Sequence, residues 1–326
     1  MTKRRAPRPP VPRTSSAPRV SVAIPIYNEE EGLAALFERV GGMLEKTPGG
    51  PHEIVLVDDG SSDRTPDLLA AEAARDPRLV VITLSRNFGH QAALTAALDH
   101  VSGDAVIVMD GDLQDPPEII PVLLERYAAG YDVVYAQREK RKEVWYKRAA
   151  YHAFYRLFDA LAGFPIPLDA GDFGLLSRPV VDEMRRTREQ HRFLRGLRAW
   201  VGFSQTAIPV ERAARHAGDS KYTLMKLLQL AFDGMFAFST VPIRASALVG
   251  ALGMMLAMLY FLYALVIKIF HGTTPQGFTA LTGLVIFTAA LNLFFLGVIG
   301  EYVGRVYAEV KARPIYIVRG IRRGSA

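Results

Sequence analysis

Two aspartates one residue apart directly follow an apolar run, and together they could hold a divalent metal ion. Residues 106–109 have the composition of a buried strand, and Asp110, Gly111 and Asp112 come next. The glycine is small enough for a ligand to approach closely, and Gln114 offers a third oxygen on the same side of an extended segment. Mg²⁺ or Mn²⁺ accepts such oxygen ligands and keeps open positions for the phosphates of a substrate. A solvated loop after a buried strand has the same local sequence, so the surrounding motifs must decide.

Three earlier apolar runs, at residues 20–26, 53–57 and 79–84, are likewise followed by polar residues and then by a helical pattern. The polar segments are Tyr27-Asn28-Glu29-Glu30, Asp58-Asp59-Gly60-Ser61-Ser62-Asp63 and Ser85-Arg86-Asn87-Phe88-Gly89. Strands that alternate with helices in this way form a parallel sheet whose carboxyl edge carries the ligand crevice. The sequence therefore predicts an α/β fold in which these segments and the aspartate pair share one edge.

Five short motifs in this order resemble the inverting, metal-dependent glycosyltransferases of the GT-A fold. They are residues 25–29 (PIYNE), 57–61 (VDDGS), 85–89 (SRNFG), 110–114 (DGDLQ) and 171–173 (GDF). The similarity is closest to the polyprenyl-phosphate branch, which includes dolichol-phosphate mannose synthase and the bacterial undecaprenyl-phosphate glucosyltransferases. It extends from about Val20 to Val318. It implies a GT-A nucleotide-sugar-binding domain with a mostly parallel sheet.

The resemblance assigns a nucleotide-sugar donor to the edge that carries these motifs. The implied nucleotide-sugar-binding residues are Pro25, Tyr27, Glu29, Asp58, Asp59, Asp110 and Gly111. Asp58 and Asp59 suit hydrogen bonds to base or ribose groups, although an Asp-Asp-Gly-Ser sequence is also a good helix entry. A metal held by Asp110, Asp112 and Gln114 would act as a Lewis acid on the diphosphate that leaves.

Asp172 matches the residue that the family places near the acceptor and that is commonly described as the base; with Asp112 it forms the implied catalytic pair. The second pKa of a lipid monophosphate is about 6, so its attacking oxygen is largely ionised near pH 7 and gains little from a base. We therefore expect Asp172 to orient the acceptor or to hold a sugar hydroxyl. Related enzymes often carry arginine two positions after this aspartate, whereas this chain has Gly174.

The acceptor phosphate needs cations that bind it and offset the nearby carboxylates. The candidate acceptor-phosphate residues are Arg138, Arg148, Arg212, Arg215, Ser220 and Lys221. We favour Arg138 and Lys221, since family position and closeness to the predicted membrane plane agree, although several of these side chains could belong to ordinary solvated faces. No two histidines have the H-x-x-x-H spacing of a metal site.

The basic charge of the chain is confined to its two ends. Residues 1–19 contain six Lys or Arg and no acid, and residues 302–326 contain six against one Glu. The proline-rich residues 1–19 are predicted to be a disordered basic arm, either a solubilising tail or a segment attracted to anionic lipid headgroups. The arm has neither the apolar core of a signal peptide nor the interleaved aromatics of a nucleic-acid binder. The absence of cysteine excludes disulfides and thiolate ligands.

Residues 245–267 and 272–300 contain no charged side chain, and each stretch can cross a bilayer as a helix. A buried core helix passes the same test, but two such runs in succession favour a transmembrane hairpin. Basic residues at both ends of the hairpin indicate that these ends face the cytoplasm. Residues 143–164 and 221–240 combine aromatic or apolar faces with polar side chains, so they are expected either at the membrane interface or packed on the catalytic domain.

A chain of 326 residues exceeds what one hydrophobic core usually spans, and these features divide it into five expected segments. They are the arm at 1–19, a GT-A catalytic domain at 20–220, an interfacial amphipathic helix at 221–240, a transmembrane hairpin at 241–304 with crossings at about 245–267 and 277–300, and a basic cytoplasmic tail at 305–326. The predicted location is the inner (cytoplasmic) membrane, multi-pass, with the catalytic domain and both termini in the cytoplasm. Gly250 and Gly253 would permit close helix contacts in a homo-oligomer.

The predicted activity is inverting transfer of a hexose, first of all glucose from UDP-glucose, onto undecaprenyl or another polyprenyl phosphate, with Mg²⁺ or Mn²⁺ as cofactor. The expected partners are the UDP-sugar donor, the polyprenyl phosphate, the lipid bilayer and a downstream flippase, with no nucleic acid. Mannosyl transfer from GDP-mannose is the main alternative. A processive polysaccharide synthase would need more crossings and usually a Gln-x-x-Arg-Trp motif, whereas this chain reads Leu197-Arg198-Ala199-Trp200. A non-enzymatic membrane scaffold would be expected to lose the acidic motifs, and they are intact.

Overall fold

The computed structural model describes residues 10–13, 17–138, 170–190, 192–210, 241–271 and 277–324. Its strands are Val20–Ile26 (β1), Glu53–Asp58 (β2), Leu79–Leu84 (β3), Ala105–Val108 (β4), Val133–Arg138 (β5), Ala170–Ser177 (β6), Gln205–Val210 (β7) and Val318–Arg323 (β8). Its helices are Leu33–Lys46 (α1), Thr65–Ala73 (α2), His90–His100 (α3), Ile120–Ala128 (α4), Arg178–Arg186 (α5), Leu194–Trp200 (α6), Val241–His271 (α7) and Phe278–Lys311 (α8), with a short 3₁₀ turn at Pro117–Ile119.

The eight strands form one sheet in the order β7-β5-β6-β4-β1-β2-β3-β8. Strands β4, β1, β2 and β3 are parallel neighbours, β6 is antiparallel to both β4 and β5, and β5 is parallel to β7. Since β6 is the reversed strand among β1 to β7, the carboxyl ends of the other six meet the amino end of β6 at one edge. This mostly parallel sheet confirms the predicted α/β, GT-A-like fold.

Helices cover both faces of the sheet, which explains why its strands read as continuous apolar runs. Every residue of β1 and β2 is buried. Helix α1 buries Leu33, Leu36, Val40 and Leu44, a spacing that places them on one stripe against one face. Helix α3 covers the opposite face with residues 92–98, all of them buried. The packed sheet thereby fixes the positions of the loops at its carboxyl edge.

One buried carboxylate ties the amino edge of the sheet together. Glu53, at the start of β2, accepts hydrogen bonds from the hydroxyls of Ser21 (2.5 Å) and Ser102 (2.8 Å), and it lies 3.4 Å from a guanidinium nitrogen of Arg19. The backbone N–H of Ser102 donates to the same carboxylate. Burial raises the pKa of Glu53, but these hydrogen bonds and the charge of Arg19 outweigh burial, so the pKa is lowered.

Residues 10–13, which belong to the segment predicted to be a disordered arm, are packed against the start of β5. Arg13 donates to the backbone oxygens of Tyr127 (2.6 Å) and Tyr131 (2.9 Å) and forms an ion pair of 2.6 Å with Asp132. The prediction of disorder is therefore wrong for these four residues, because Arg13 finds carbonyl and carboxylate partners on the folded domain. Asp132 lies at the amino edge, so this segment is held a strand length, about 20 Å, from the opposite edge.

Helices α7 and α8 contain two spans that are long and apolar enough to cross a membrane, Ala245–Phe270 and Gly283–Lys311. Most of their large apolar side chains are exposed, as expected of helices that face lipid. Helix α8 continues to Lys311, beyond the predicted end of the second crossing at residue 300. Its 34 residues give a length of about 51 Å, more than the roughly 30 Å of a hydrocarbon core, so its last turns extend past the core.

After α8 the chain returns to the catalytic sheet as β8, a strand that the sequence does not predict. It pairs antiparallel with β3, with Ile82 opposite Ile321, and the backbone N–H of Gly324 donates to Leu79 at 2.8 Å. The expected basic tail at 305–326 thus contains the end of α8 and an edge strand. Strand β8 is mostly exposed and half of its residues are arginine, as is typical of an edge strand. Because it contains no apolar run, the hydropathy pattern does not predict it.

Polar contacts hold the end of α8 against the loop between α5 and α6. The backbone N–H of Gln190 donates to a carboxylate oxygen of Glu309 at 2.7 Å, and its side-chain amide donates to the backbone oxygen of Arg313 at 2.7 Å. The same loop leads into α6, a short helix at the carboxyl edge of the sheet. Helix α8 is therefore connected to the sheet by side-chain contacts as well as by β8.

Candidate active site

The strand register brings carboxylates from two strands together at the carboxyl edge. Val108, the last residue of β4, pairs with Gly174 of β6 in antiparallel register. Asp110 follows Val108 by two residues and Asp172 precedes Gly174 by two residues. Because the two strands are antiparallel, Asp110 and Asp172 are therefore neighbours. His90, the first residue of α3, lies between them, with Nε2 3.7 Å from Asp110 Oδ1 and 3.6 Å from Asp172 Oδ2. We call these three side chains the acidic centre.

The loop after β4 folds back and does not continue as an extended segment. Leu113 has a left-handed backbone with a φ of 53°, and the backbone N–H of Gln114 donates to Asp112 Oδ1 at 3.2 Å. The prediction that Gln114 follows the aspartates along one side of an extended segment is therefore wrong, because the turn buries Gln114 to 9% exposure. Gly111 packs closely against β1, since a Cβ there would lie 2.5 Å from Cδ1 of Ile26 and that side chain would have to shift.

The electrostatics around Asp110 fit a divalent cation. Burial raises the pKa of Asp110, and the carboxylates of Asp172, Asp112 and Asp115 raise it further, against the opposing effect of His90. A cation bound to Asp110 and Asp112 would relieve this repulsion. Within the described residues no group of three His, Asp or Glu side chains is arranged to hold a metal. When bound, Mg²⁺ or Mn²⁺ supplies a Lewis acid for a leaving phosphate.

Asp58 and Asp59 end β2 but have different surroundings. Asp59 accepts backbone hydrogen bonds at both carboxylate oxygens, from Phe88 (2.8 Å) and from Gly89 (2.9 Å). Asp58 accepts a bond of 2.9 Å from the backbone of Ser61 at Oδ1, and its buried Oδ2 has no hydrogen-bond partner among the described residues. Asp59 therefore holds the loop before α3, whereas Asp58 has one buried oxygen that lacks a hydrogen-bond partner among the described residues.

The loop after β1 presents an exposed aromatic ring close to the end of β2. Tyr27 is 47% exposed, and Asn28 has a left-handed backbone with a φ of 52°. The backbone N–H of Asn28 donates to the Ser61 hydroxyl at 3.0 Å, and that of Glu29 donates to the hydroxyl of the first residue of α2 at 3.0 Å. Pro25 lies buried within β1. These bonds join the two loops that carry the predicted nucleotide-binding residues.

His90 belongs to the acidic centre but is not among the site residues predicted from the sequence. Burial lowers the pKa of His90, but the hydrogen bond to Asp172 and the charge of Asp110 outweigh burial, so the pKa is raised. The imidazole therefore keeps its proton more readily than an ordinary histidine does. The available sequence signal is its place at the start of α3, directly after Gly89, whose φ is 95°.

Arg195 of α6 binds Asp172 through a two-pronged ion pair. Its Nε donates to Oδ1 at 2.7 Å and its Nη2 donates to Oδ2 at 2.8 Å. Burial raises the pKa of Asp172, but the charge and hydrogen bonds of Arg195, together with those of His90, hold the pKa well below its ordinary range. A carboxylate in this state is ionised at neutral pH and accepts a proton poorly.

A second arginine of α6 lies deeper in the domain. Arg198 is 4% exposed, and its Nε and Nη2 have no hydrogen-bond partner within the described chain. Its guanidinium lies 5.1 Å from the centroid of the Tyr135 ring, and burial lowers its pKa to about 10. Neither Arg195 nor Arg198 is predicted from the sequence, because two arginines three residues apart in a short helix are typical of an ordinary helix surface.

Gly174 occupies the position at which related enzymes often carry arginine, and its surroundings explain why no side chain is present. A Cβ there would meet the backbone oxygen of Val134 and would lie 2.9 Å from Cα of Tyr135. The described arginines next to Asp172 therefore belong to α6 and not to β6.

The predicted acceptor-phosphate residues are only partly within the described chain. Arg138 is the last residue of β5, at the same edge of the sheet as Asp110. Arg148, Arg212, Arg215, Ser220 and Lys221 lie outside the described residues, as do the expected interfacial segments at 143–164 and 221–240.

The GT-A-like sheet and the carboxylates at its edge place the protein among the glycosyltransferases. Residues 21–185 match the model of glycosyl transferase family 2, and the chain belongs to this family.

Three relatives match nearly the whole chain. The uncharacterized glycosyltransferase YkcC of Bacillus subtilis is 43% identical over 92% of this chain and 93% of the relative. The bactoprenol glucosyl transferase of Shigella phage SfII is 38% identical over 94% of this chain and 99% of the relative. The undecaprenyl-phosphate 4-deoxy-4-formamido-L-arabinose transferase of Edwardsiella ictaluri is 38% identical over 94% of this chain and 95% of the relative. Among solved structures, mannosyl-3-phosphoglycerate synthase from Rubrobacter xylanophilus has a TM-score of 0.44 and 21% identity over 66% of this chain and 71% of that chain.

Proposed function

We propose that the enzyme transfers a hexose from a UDP-sugar, with UDP-glucose as the first candidate, onto undecaprenyl or another polyprenyl phosphate at the cytoplasmic face of the membrane. The observation that carries the proposal is the attachment of the catalytic sheet to two apolar helices through β8. A nucleotide-sugar site fixed to the bilayer in this way suits an acceptor whose lipid tail stays in the membrane.

Binding of the nucleotide sugar is assigned to the side of the crevice formed by β1, β2 and β4. The exposed ring of Tyr27, and the buried Oδ2 of Asp58 that has no hydrogen-bond partner among the described residues, support contacts to the nucleoside. A divalent cation on Asp110 and Asp112 would offset the repulsion between these carboxylates and the diphosphate. Mg²⁺ and Mn²⁺ both suit this set of oxygen ligands.

The reaction forms one bond and breaks one bond at the anomeric carbon of the sugar. An oxygen of the lipid phosphate attacks that carbon, the carbon–oxygen bond to the diphosphate breaks, and the electron pair leaves with UDP. Attack from the face opposite the leaving group inverts the anomeric configuration. Because the second pKa of the phosphate is about 6, the nucleophile is largely ionised near pH 7 and requires no protein base.

The order of the strands supports a cytoplasmic hairpin. Strands β1 to β7 precede the two apolar helices in the chain and β8 follows them, yet all eight belong to one sheet. If α7 and α8 cross the bilayer, the start of α7 and the end of α8 must both lie on the side of the membrane that carries the catalytic domain. Basic residues at these ends favour the cytoplasm, so the catalytic domain and both termini of this inner-membrane protein are assigned there.

The names of the relatives support a lipid carrier as the acceptor, and they include more than one transferred sugar. At an equal 38% identity, one relative is named a bactoprenol glucosyl transferase and another an undecaprenyl-phosphate 4-deoxy-4-formamido-L-arabinose transferase. Glucose is the first candidate because bactoprenol glucosyl transferases recur among these relatives. GDP-mannose is the alternative donor.

A panel of donors tests the proposal. Membranes that contain the protein are incubated with undecaprenyl phosphate, Mn²⁺ and one labelled donor at a time: UDP-glucose, UDP-N-acetylglucosamine, UDP-galactose or GDP-mannose. We expect lipid-extractable label from UDP-glucose and none from membranes with the Asp112→Asn variant. Lipid label that appears only with GDP-mannose would replace the donor assignment, and the absence of lipid label with every donor would overturn the proposed activity.

A further inference from the structure

We infer that Arg195 binds the phosphate of the lipid acceptor and that Asp172 is a positioning residue that holds the Arg195 guanidinium for this task. The inference rests on the proposed function, since it requires an acceptor that carries a phosphate. In this assignment Asp172 acts through Arg195, and the arginine is the side chain that touches the substrate.

The ion pair fixes the direction in which Arg195 presents its other hydrogen-bond donors. A guanidinium is planar and carries five N–H groups in a rigid fork. Its Nε and Nη2 point at the two oxygens of Asp172, at 2.7 and 2.8 Å, so the edge that includes Nη1 points away from the carboxylate. The Asp172 side chain is 5% exposed and that of Arg195 is 38% exposed. The arginine is therefore the more accessible of the two side chains.

The position of Arg195 relative to the metal-binding candidates suits an acceptor phosphate. One nitrogen of His90 lies 3.6 Å from Asp172 and 3.7 Å from Asp110, so a single imidazole separates the Arg195–Asp172 pair from the proposed metal site. The attacking phosphate must come within bonding distance of the sugar while the diphosphate remains at the metal. A cation one side chain away can hold the phosphate there and leave the diphosphate to the metal.

Arg198 adds a second positive charge behind this pair. It follows Arg195 by three residues on α6, so both guanidinium groups lie on one side of the helix. Both line a cavity of about 20 Å³ together with Asp172 and six apolar side chains, Leu94, Leu98, Val108, Leu176, Met184 and Leu194. Two arginines against one carboxylate leave the lining of this cavity with a net positive charge. Because the surroundings are apolar, the resulting field is screened less than in water and favours a dianion.

The same geometry argues against Asp172 as the base. Both of its oxygens accept hydrogen bonds from Arg195, and a proton taken from the acceptor would have to displace that partner. An ionised phosphate has no proton to give up at this step. Gly174 brings no side chain to this region, so within the described chain the arginines around Asp172 are those of α6, and His90 of α3 lies beside them.

Steady-state kinetics of purified variants in detergent, with undecaprenyl phosphate and the best donor of the panel, test the assignment. We expect Arg195→Ala to raise the KM for undecaprenyl phosphate by about tenfold to a hundredfold, the loss that follows removal of a charged hydrogen bond. Affinity for UDP, measured by calorimetry, should change by less than about twofold, because the nucleotide lies on the other side of the acidic centre. Arg195→Lys keeps the charge without the fork and should show a smaller rise in the same KM.

A double variant separates positioning from catalysis. If Asp172 acts through Arg195, then adding Asp172→Asn to Arg195→Ala should leave kcat/KM equal to or above that of Arg195→Ala alone. A further loss of about tenfold would mean that Asp172 acts on the reaction itself, and it would overturn the positioning role.

Arg186→Ala is the matched control, since Arg186 on α5 is 76% exposed and pairs with its helix neighbour Glu183 at 2.7 Å. Its acceptor KM should equal that of the parent. If the parent makes no lipid-linked sugar with any donor, the proposed function itself fails. If the parent is active but a folded Arg195 variant loses UDP affinity and keeps its acceptor KM, only the inference fails. If Arg195→Ala does not fold, the KM for undecaprenyl phosphate and the affinity for UDP are measured with Arg195→Lys instead.

Discussion

Tyr316, in the segment that follows the second membrane helix, donates a hydrogen bond of 2.7 Å from its hydroxyl to Oδ2 of Asp99 on α3. Arg188 lies 3.3 Å from the same carboxylate oxygen. Helix α3 begins at His90, in the acidic centre, so the segment after α8 is hydrogen-bonded to a helix that positions part of the site. The two apolar helices and the candidate active site are therefore joined through side chains that lie far apart in the sequence.

We expect Tyr316→Phe to lower the free energy of unfolding by about 1 to 2 kcal/mol, because the variant keeps the ring and removes one hydrogen bond to a charged group. Thermal unfolding of the purified protein in detergent measures the change. Tyr307→Phe is the matched control, since Tyr307 is 60% exposed on α8 and should change stability little. Equal losses in the two variants would contradict a specific role for the Tyr316 hydroxyl.

A reporter fused after Ala326 should be active in the cytoplasm, and one inserted near Thr273, between α7 and α8, should be active outside. The physical reason is β8, which requires the chain to return to the side of the membrane that carries β3. Fusions to green fluorescent protein and to alkaline phosphatase report the two sides. A periplasmic C-terminus would contradict both the hairpin and the cytoplasmic active site.

Asp112→Asn should lower transfer activity by more than about a hundredfold, because a bound metal contributes several kcal/mol of stabilisation to the leaving charge. The variant should also bind Mn²⁺ more weakly in the presence of UDP, as measured by electron paramagnetic resonance. Chelation by EDTA should inactivate the parent, and added Mn²⁺ should restore it. Asp67→Asn, at an exposed position in the first turn of α2, is the control. Full activity of the parent in EDTA is the result that rules out the metal.

The apolar pattern predicts the four parallel strands β1 to β4, because parallel strands covered on both faces must be apolar throughout. The run at residues 79–84 coincides with β3, and the motifs after the first runs lie at one edge of the sheet as expected. Strand β8 escapes this reasoning. It is an exposed edge strand rich in arginine, and its pairing with β3 is a tertiary relation between distant parts of the chain that no local pattern contains.

The acidic centre was predictable in part for a similar reason. Asp110 and Asp172 stand out as motif residues, and the sequence places both near a ligand. His90, Arg195 and Arg198 do not stand out, because each has an ordinary structural role available to it on a helix. Their relation to Asp172 depends on the antiparallel register of β6 and on the packing of α6, which only the folded chain provides.

Glu53→Gln should destabilise the domain at neutral pH and make its stability less dependent on acid. The pKa of Glu53 is lowered in the folded state, so its ionised form contributes stability above the unfolded pKa of about 4.3, and this contribution is lost as pH falls through the folded pKa. The variant should lose about 1 to 3 kcal/mol at pH 7 and much less at pH 3. Urea unfolding at both values measures the difference. Glu31→Gln, at an exposed position, should be neutral at both.

Gly174→Ala should destabilise the sheet although it adds a single methyl group. The new Cβ would meet the backbone oxygen of Val134 and would lie 2.9 Å from Cα of Tyr135, and neither atom can move without disturbing the pairing of β5 with β6. Such overpacking costs about 1 to 3 kcal/mol.

Gly42→Ala on α1 is the matched control for Gly174→Ala, since no atom lies within 4 Å of the added Cβ. It should stabilise the protein by about 0.5 to 1 kcal/mol, because alanine loses less backbone freedom in a helix than glycine does. Thermal unfolding midpoints should therefore move in opposite directions. If Gly174→Ala were as stable as the parent, β6 could accept a side chain at this position, and the steric reason for the absence of an arginine on β6 next to Asp172 would be lost.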